Sequence, residues 1–277
     1  MTLINSLQDT VTLHNGIKMP IFGLGVYKVD DGKTVVESVK TAINHGYRSI
    51  DTASFYDNEI GVGQAIKESD IAREDIFVTS KVWNDEQGYE STLQAFERSL
   101  KKLDLEYLDL YLIHWPIKDT YKETWRALEK LYTDGRVRAI GVSNFNVNQL
   151  QDLLADCNIK PVINQVEFHP HLTQVELRNL CKQENIQLEA WSPLKRGRLL
   201  EEPTILKIAK QYQKSAAQVI LRWDLQSQVI TIPKSITKER IIENADIFDF
   251  SLTDEDMESI NQLNRNDRSG KDPAIYE

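Results

Sequence analysis

The sequence predicts a (β/α)₈ barrel, and three observations carry that prediction. About eight short β-rich runs appear in order, each followed by an amphipathic helical pattern, which is the strand count of the closed barrel. Three of these runs end on an ionisable residue: Asp51 in SIDTASFYDNE, Lys81 in IFVTSK and His114 in LDLYLIH. A charge inside a buried parallel strand carries a large desolvation cost. Charges repeated at the carboxyl ends of such strands converge on one face of a barrel, where the active sites of that architecture lie. Finally, the glycine-rich turn of a doubly wound sheet is missing, because Gly23-Leu24-Gly25 continues with Lys28 where a third glycine belongs, and Gly61-Val62-Gly63 continues with Ile66.

Ahead of the repeat, TVTLHNGIKMP places two short alternating runs around Asn15-Gly16, a strong hairpin signal. The first barrel strand is expected in FGLGVY, followed by a helix near 33–44, a strand in RSID and a helix near 61–67. The alternation continues through IFVTSK, YLDLYLIH, VRAIGVS, VINQVEF, IQLEAW and VITIPKS, with helices expected near 89–102, 122–132, 147–155, 174–184 and 216–225. A last helix near 254–263 precedes the polar, breaker-rich NRNDRSGKDPAIYE, which reads as a tail or loop lying over the barrel.

Composition narrows the function. At 277 residues one barrel domain, 1–277, accounts for the whole chain, and no linker or low-complexity segment interrupts it. No apolar run approaches the roughly 20 residues of a membrane span. The N-terminal MTLINSLQDTV lacks the basic and apolar regions of a secretory signal, so a cytoplasmic protein is expected. Cys157 and Cys181 suit a reducing compartment and read as structural. A net charge of −9 disfavours nucleic acid as a partner, and against it the gathering of Lys234, Lys238 and Arg240 within seven residues has a local cause.

Singly, the polar strand ends have structural readings: Asp51 with Thr52 as a helix cap, Tyr56 as a loop aromatic, Lys81 as a strand-end charge, His114 as a satisfied histidine. Jointly those readings require unpaired ionisable groups to meet at one barrel mouth by accident. A tyrosine hydroxyl is a weak acid at neutral pH, but a nearby ammonium such as Lys81 stabilises the phenolate and is expected to lower its pKa. Asp51 would keep Lys81 charged and offset its burial. A neutral His114 imidazole would orient a carbonyl oxygen. This set suits proton donation to an oxygen becoming an alkoxide.

These residues, with GYRSIDTASFYDNEIGVGQAI, LDLYLIHWP, GRVRAIGVSNF, NQVEFHP, EAWSPL and IPKSITKERIIENADIFDF, carry a resemblance that runs nearly end to end. The chain resembles the aldo-keto reductases, and closely the bacterial branch with glyoxal/methylglyoxal reductases and 2,5-diketo-gluconate reductases. The resemblance implies NADPH-dependent reduction of small aldehydes and ketones to alcohols, with Tyr56 as general acid, Lys81 and Asp51 tuning it, and His114 orienting the carbonyl. It makes Ser143, Asn144 and Gln165 partners of the nicotinamide carboxamide, which all three types can bond, and Trp191 the stacking aromatic, where many relatives have tyrosine. Ser192 to Leu194 would run along the pyrophosphate. Lys234, Ser235 and Arg240 would hold a phosphate monoester, which predicts NADPH over NADH; Glu243 and Asn244 would contact the adenine side, whereas Lys238 reads as a solvated face. Tyr27, Trp83 and Trp115, each just beyond a strand end, could wall a pocket for a small carbonyl compound beside His114. The resemblance also implies that the mouth loops and tail set substrate size, and the short tail suggests an open pocket.

Two other functions compete. Glu167, His169 and His171 alternate as strand ligands of a metal hydrolase would, but lie far from the first strand, and five histidines are few for such a site; no metal is expected. Some aldo-keto reductase relatives serve as nucleotide-sensing subunits of membrane channels with little turnover; those usually carry docking segments, and none is evident. A closed barrel needs no partner for stability, so a monomer is expected.

Overall fold

The computed structural model describes residues 4–276. Strands β1 (Thr10–Thr12) and β2 (Lys18–Pro20) form an antiparallel hairpin. Its connection spans residues 13–17 rather than a two-residue turn, and Gly16 supplies the positive φ of 87° within it.

Eight parallel strands follow: β3 (Leu24–Gly25), β4 (Ser49–Asp51), β5 (Phe77–Val82), β6 (Leu108–Ile113), β7 (Val137–Ser143), β8 (Ile163–Glu167), β9 (Gln187–Trp191) and β10 (Ile230–Thr231). Each pairs with its sequence neighbour, and parallel bridges from Phe22 to Thr231 and from Gly25 to Lys234 close the sheet into a barrel. Gly25 is required at that seam: a Cβ there would stand 2.9 Å from the Ile232 carbonyl oxygen.

The crossover helices are α1 (Lys33–Asn44), α2 (Glu59–Lys67), α3 (Tyr89–Leu103), α4 (Tyr121–Thr133), α5 (Val147–Leu154), α6 (Val175–Glu184), then, after the extra helix α7 (Pro203–Tyr212), α8 (Ala216–Gln226) and α9 (Lys238–Ala245), which packs back on α1. The last helix, α10 (Asp254–Asn261), lies against α7. Helix α7 has no counterpart among the helices expected from sequence, although Pro203 at its first position is a start signal. Capping boxes open α5 at Asn146, α8 at Ser215 and α10 at Thr253, each satisfying backbone N–H groups left free by the first helical turn.

Alternation along the strands feeds two cores. In β6, Tyr111 and Ile113 join the large core between sheet and helices, while Leu110 and Leu112 join a second core inside the barrel. That inner core also contains Leu13 and Met19 of the hairpin region, Phe77, Val162, Ile163 and Ile230. The hairpin therefore plugs the end of the barrel where the strands begin. Complete burial of each large aliphatic side chain there is worth about 1.5–3 kcal/mol.

Candidate active site

The opposite end is polar. Asp51 ends β4, Lys81 is the penultimate residue of β5, and His114 follows β6 directly. Lys81 is fully buried; its Nζ donates to Asp51 Oδ1 at 2.6 Å and to the Thr52 carbonyl at 2.9 Å. A charge at this depth needs a partner to offset its desolvation, and the Asp51 carboxylate is that partner. Tyr56 lies in a single 3-10 turn, Ser54–Tyr56, after β4. That loop is fixed by buried Asn58, whose Nδ2 donates to the carbonyls of Val26 and Val29, both at 2.9 Å, and whose Oδ1 accepts from Thr52 Oγ1 at 2.8 Å. Lys81 Nζ thereby stands 5.1 Å from the centre of the Tyr56 ring, and the His114 ring lies edge-on to it at 5.6 Å.

Two electrostatic consequences follow. Burial, reinforced by the charge of Lys81, holds the His114 imidazole well below its ordinary pKa of 6.5, so it is neutral near pH 7. The Tyr56 hydroxyl departs from the sequence-based expectation: its pKa is raised, not lowered. Desolvation is the largest cause, with Asp51, Tyr27 and Glu189 adding to it. The charge of Lys81 is directed into Asp51 and the Thr52 carbonyl, so it does not free the phenol of its proton in this state. Tyr56 is a loaded proton carrier.

A second group occupies the next strand ends. Ser143 closes β7 and donates through Oγ to the Gln165 carbonyl at 2.8 Å. Asn144 adopts the left-handed conformation (φ 64°), which asparagine tolerates, and donates to the His114 carbonyl at 2.9 Å. Its Oδ1 accepts from Trp191 Nε1 at 2.8 Å, which fixes the indole at the end of β9. Gln165, buried in β8, donates through Nε2 to Asp51 Oδ2 at 2.7 Å and to Glu189 Oε2 at 2.8 Å. One continuous polar network thus joins the two groups.

Beyond Trp191, Ser192 takes a positive φ of 55° and its carbonyl accepts from the Lys195 N–H, so the stretch through Leu194 is a tight turn. Lys234 follows β10 and is exposed; Ser235 is buried, with Oγ accepting from Thr237 N–H at 3.2 Å at the start of α9. Arg240 is exposed in the first turn of α9, and Glu243 and Asn244 lie near its end, exposed and buried respectively. These residues sit together on the β10–α9 side of the mouth.

Aromatic rings line the rim. Tyr27 lies 4.9 Å from Tyr56 between ring centres, and Trp83 lies 4.8 Å from His114. Phe55, which sequence reading passed over, stacks on Trp83 at 3.7 Å and meets His114 edge-on. Trp115 is buried beneath the chain end, its ring 5.5 Å from that of Tyr276. The tail crosses the mouth next to Trp191: a Cβ on Gly270 would come within 2.4 Å of the indole Cη2.

Glu167 and His169, weighed above as metal ligands, bond each other at 3.0 Å, and Glu167 also accepts from Ser269 N–H at 2.6 Å and Gly270 N–H at 3.0 Å. His171 instead contacts Glu202 and Lys195. These side chains tie the tail to β8. Glu189 also escaped sequence reading, although it carries the signal that marked Asp51, an ionisable residue in an apolar strand run, IQLEAW. Phe55 had no comparable signal, since a loop aromatic beside Tyr56 is unremarkable in sequence.

The chain and its fold have counterparts among known proteins. The model of the Aldo/keto reductase family matches residues 22–265. The chain is 66% identical to a glyoxal reductase of Bacillus subtilis (strain 168), covering 97% of each protein, and 53% identical to a 9,11-endoperoxide prostaglandin H2 reductase of Trypanosoma cruzi (strain CL Brener), covering 99% of this chain and 98% of that one. Among solved structures, a mutant of Gox0644 in complex with NADPH superposes with a TM-score of 0.92 at 44% identity, covering 97% of this chain and 98% of that one. A Bombyx mori aldo-keto reductase in complex with NADP gives 0.87 at 39% identity, covering 95% and 94%. The match begins at the seam strand, takes in every barrel strand and ends inside the tail, and on that evidence of sequence and shape together the chain belongs to the aldo/keto reductase family.

Proposed function

We propose that this protein is an NADPH-dependent reductase of small aldehydes and ketones, with vicinal dicarbonyls such as glyoxal and methylglyoxal among its substrates. The observation that carries the reading is the buried Lys81–Asp51 pair next to a protonated Tyr56 and a neutral His114, opening onto an aromatic rim. The 66% identity to a glyoxal reductase supports the substrate class, and relatives bound to NADPH or NADP support the cofactor.

The donor set fits that cofactor. Gln165 turns its amide nitrogen toward two carboxyl groups, which leaves its oxygen to accept from a carboxamide, and Ser143 and Asn144 stand beside it. Trp191, anchored through its Nε1, offers a flat platform for the nicotinamide. Lys234 and Arg240, both exposed, with the Ser235 hydroxyl, suit the phosphate that distinguishes NADPH from NADH. Bound NADPH supplies a hydride to the carbonyl carbon.

This chain's residues manage the proton. Neutral His114 holds the carbonyl oxygen by donating a hydrogen bond, which neutrality permits across the physiological range. Tyr56 gives its phenolic proton to that oxygen as negative charge builds there. The phenolate left behind is stabilised by Lys81, whose own charge Asp51 sustains. Phe55, Trp83 and Tyr27 set aromatic surface beside His114 and Tyr56, which suits small, flat substrates.

Replacing Tyr56 with phenylalanine tests the reading. Reduction of methylglyoxal should fall by about 10²- to 10⁴-fold, the usual contribution of a positioned general acid, while NADPH affinity stays unchanged. Undiminished turnover would refute it. Lys234→Ala or Arg240→Ala should each weaken NADPH about tenfold or more through one lost charge-assisted contact, with NADH little affected; equal losses for both cofactors would remove the phosphate assignment.

A further inference from the structure

Glu189 takes no part in the proton transfer just described, yet it sits in the floor of the site. It is 1% exposed in β9, in register with Gln165 of β8. A hydrocarbon side chain here would bury without desolvation cost, as Leu188 and Ala190 on either side do. Instead the carboxyl completes a chain across four strands: Lys81 Nζ to Asp51 Oδ1 at 2.6 Å, Gln165 Nε2 to Asp51 Oδ2 at 2.7 Å, and the same Nε2 to Glu189 Oε2 at 2.8 Å. Ionised Asp51 can only accept, so the Gln165 amide must turn its NH₂ inward; Glu189 takes the second N–H and leaves that nitrogen no free donor. The Gln165 carbonyl oxygen then has one side open to it, away from the carboxyl groups.

We propose that Glu189 is a positioning residue for the nicotinamide half of the cofactor: with Asp51 it clamps the Gln165 amide so that only its oxygen is offered to the nicotinamide carboxamide. This rests on the reading above that Gln165 bonds that carboxamide.

Its protonation state suits the role. Burial raises the Glu189 carboxyl to about 8, Asp51 adds to the rise, and the bond from Gln165 and the charge of Lys81 only partly oppose it. Near pH 7 the acid is neutral. Asp51 and Lys81 therefore remain a balanced pair below about 8, and Glu189 sets its own charge against a Tyr56 phenolate only above that pH.

Two ligands separate the halves of the cofactor: NADPH, and 2′-phospho-ADP-ribose, which lacks the nicotinamide. Dissociation constants for both would be measured by calorimetry in the full-length protein, its Glu189→Leu, Glu189→Gln and Gln165→Leu variants, and Glu189→Ala should the leucine variant lose its native circular dichroism. Glu189→Leu should weaken NADPH about tenfold, the equivalent of one lost buried hydrogen bond, and leave 2′-phospho-ADP-ribose within about twofold. Glu189→Gln, whose amide oxygen accepts the same N–H, should stay within about threefold of the parent for both. NADPH affinity unaltered by Glu189→Leu, or parallel losses for both ligands, would overturn the proposal while leaving Gln165 as a cofactor contact. Unaltered NADPH affinity in Gln165→Leu would instead remove the reading beneath it.

Discussion

The two ends of one barrel are built on opposite principles. Where the strands begin, the interior is hydrocarbon: Leu110, Phe77, Ile163 and Ile230, sealed by Leu13 and Met19. Where they end, the same strands carry Asp51, Lys81, Gln165, Glu167 and Glu189, all buried. Strand β6 passes from Leu110 and Leu112 to His114, and β8 from Ile163 to Gln165, within one inward-facing row. The strand-start end contributes stability through burial, whereas the strand-end face carries desolvated charges whose compensation lies in chemistry. Changes at the two ends should therefore fail differently.

The largest effect is expected from Lys81→Met. It strips Asp51 of its charged partner at full burial, and breaking such a pair costs about 3–5 kcal/mol in stability. Reduction should fall by at least about 10²-fold as the phenolate loses its cation. Adding Asp51→Asn should recover stability but not turnover, as read by urea unfolding beside methylglyoxal kinetics; recovery of both would show the pair to be structural only. At the apolar end, Leu110→Ala should cost about 2–5 kcal/mol by opening a cavity. Its kcat/KM should stay within about threefold of the parent at a temperature where it is folded. A loss of turnover comparable to that of Lys81→Met would erase the distinction between the ends.

A pH series sharpens the comparison. In the unfolded chain Glu189 ionises near 4.5; in the folded one it keeps its proton to about 8. Between these values the folded state binds the extra proton, so this group makes the protein less stable as pH rises from 4.5 to 8. Glu189→Gln removes that slope. Its stability relative to the parent should climb across that window by an amount on the order of 1 kcal/mol or more, measured by urea midpoints. Hydrocarbon replacements at the other end, such as Ile163→Val, should show a difference that is flat with pH.

Most of the barrel was legible because its strands are short, apolar and punctuated, and several turn polar at one end. Asp51, Lys81 and His114 stood out for the same reason. What sequence left out depends on contact. Helix α7 lies outside the strand–helix repeat, so the repeat gave no place for it. The raised pKa of Tyr56 follows from Lys81 pointing its charge at Asp51 and Thr52, a direction no spacing encodes. Phe55 gains its role only by stacking on Trp83, 28 residues away in the chain.

The tail is where the comparison between the ends meets its smallest test, because a strap rather than a plug covers the polar mouth. Burial would raise the Glu167 carboxyl, but hydrogen bonds from His169 and Ser269 and from the backbone of Ser269 and Gly270 outweigh it and hold it at about 2. The latch is therefore intact at neutral pH, and its contribution declines as pH falls from 4.5 through about 2. In Glu167→Ala, amides around Ser269 and Gly270 lose their acceptor, and local opening should become easier by about 1–3 kcal/mol, read as faster hydrogen exchange in the tail. Lys195–Asp267 and the bond from Gln149 to the Pro273 carbonyl still anchor the segment on either side. Global stability should accordingly change little, and KM for small carbonyls by only a few-fold. Unchanged exchange at Ser269 and Gly270 would mean that those flanking anchors, not Glu167, hold the strap beside Trp191.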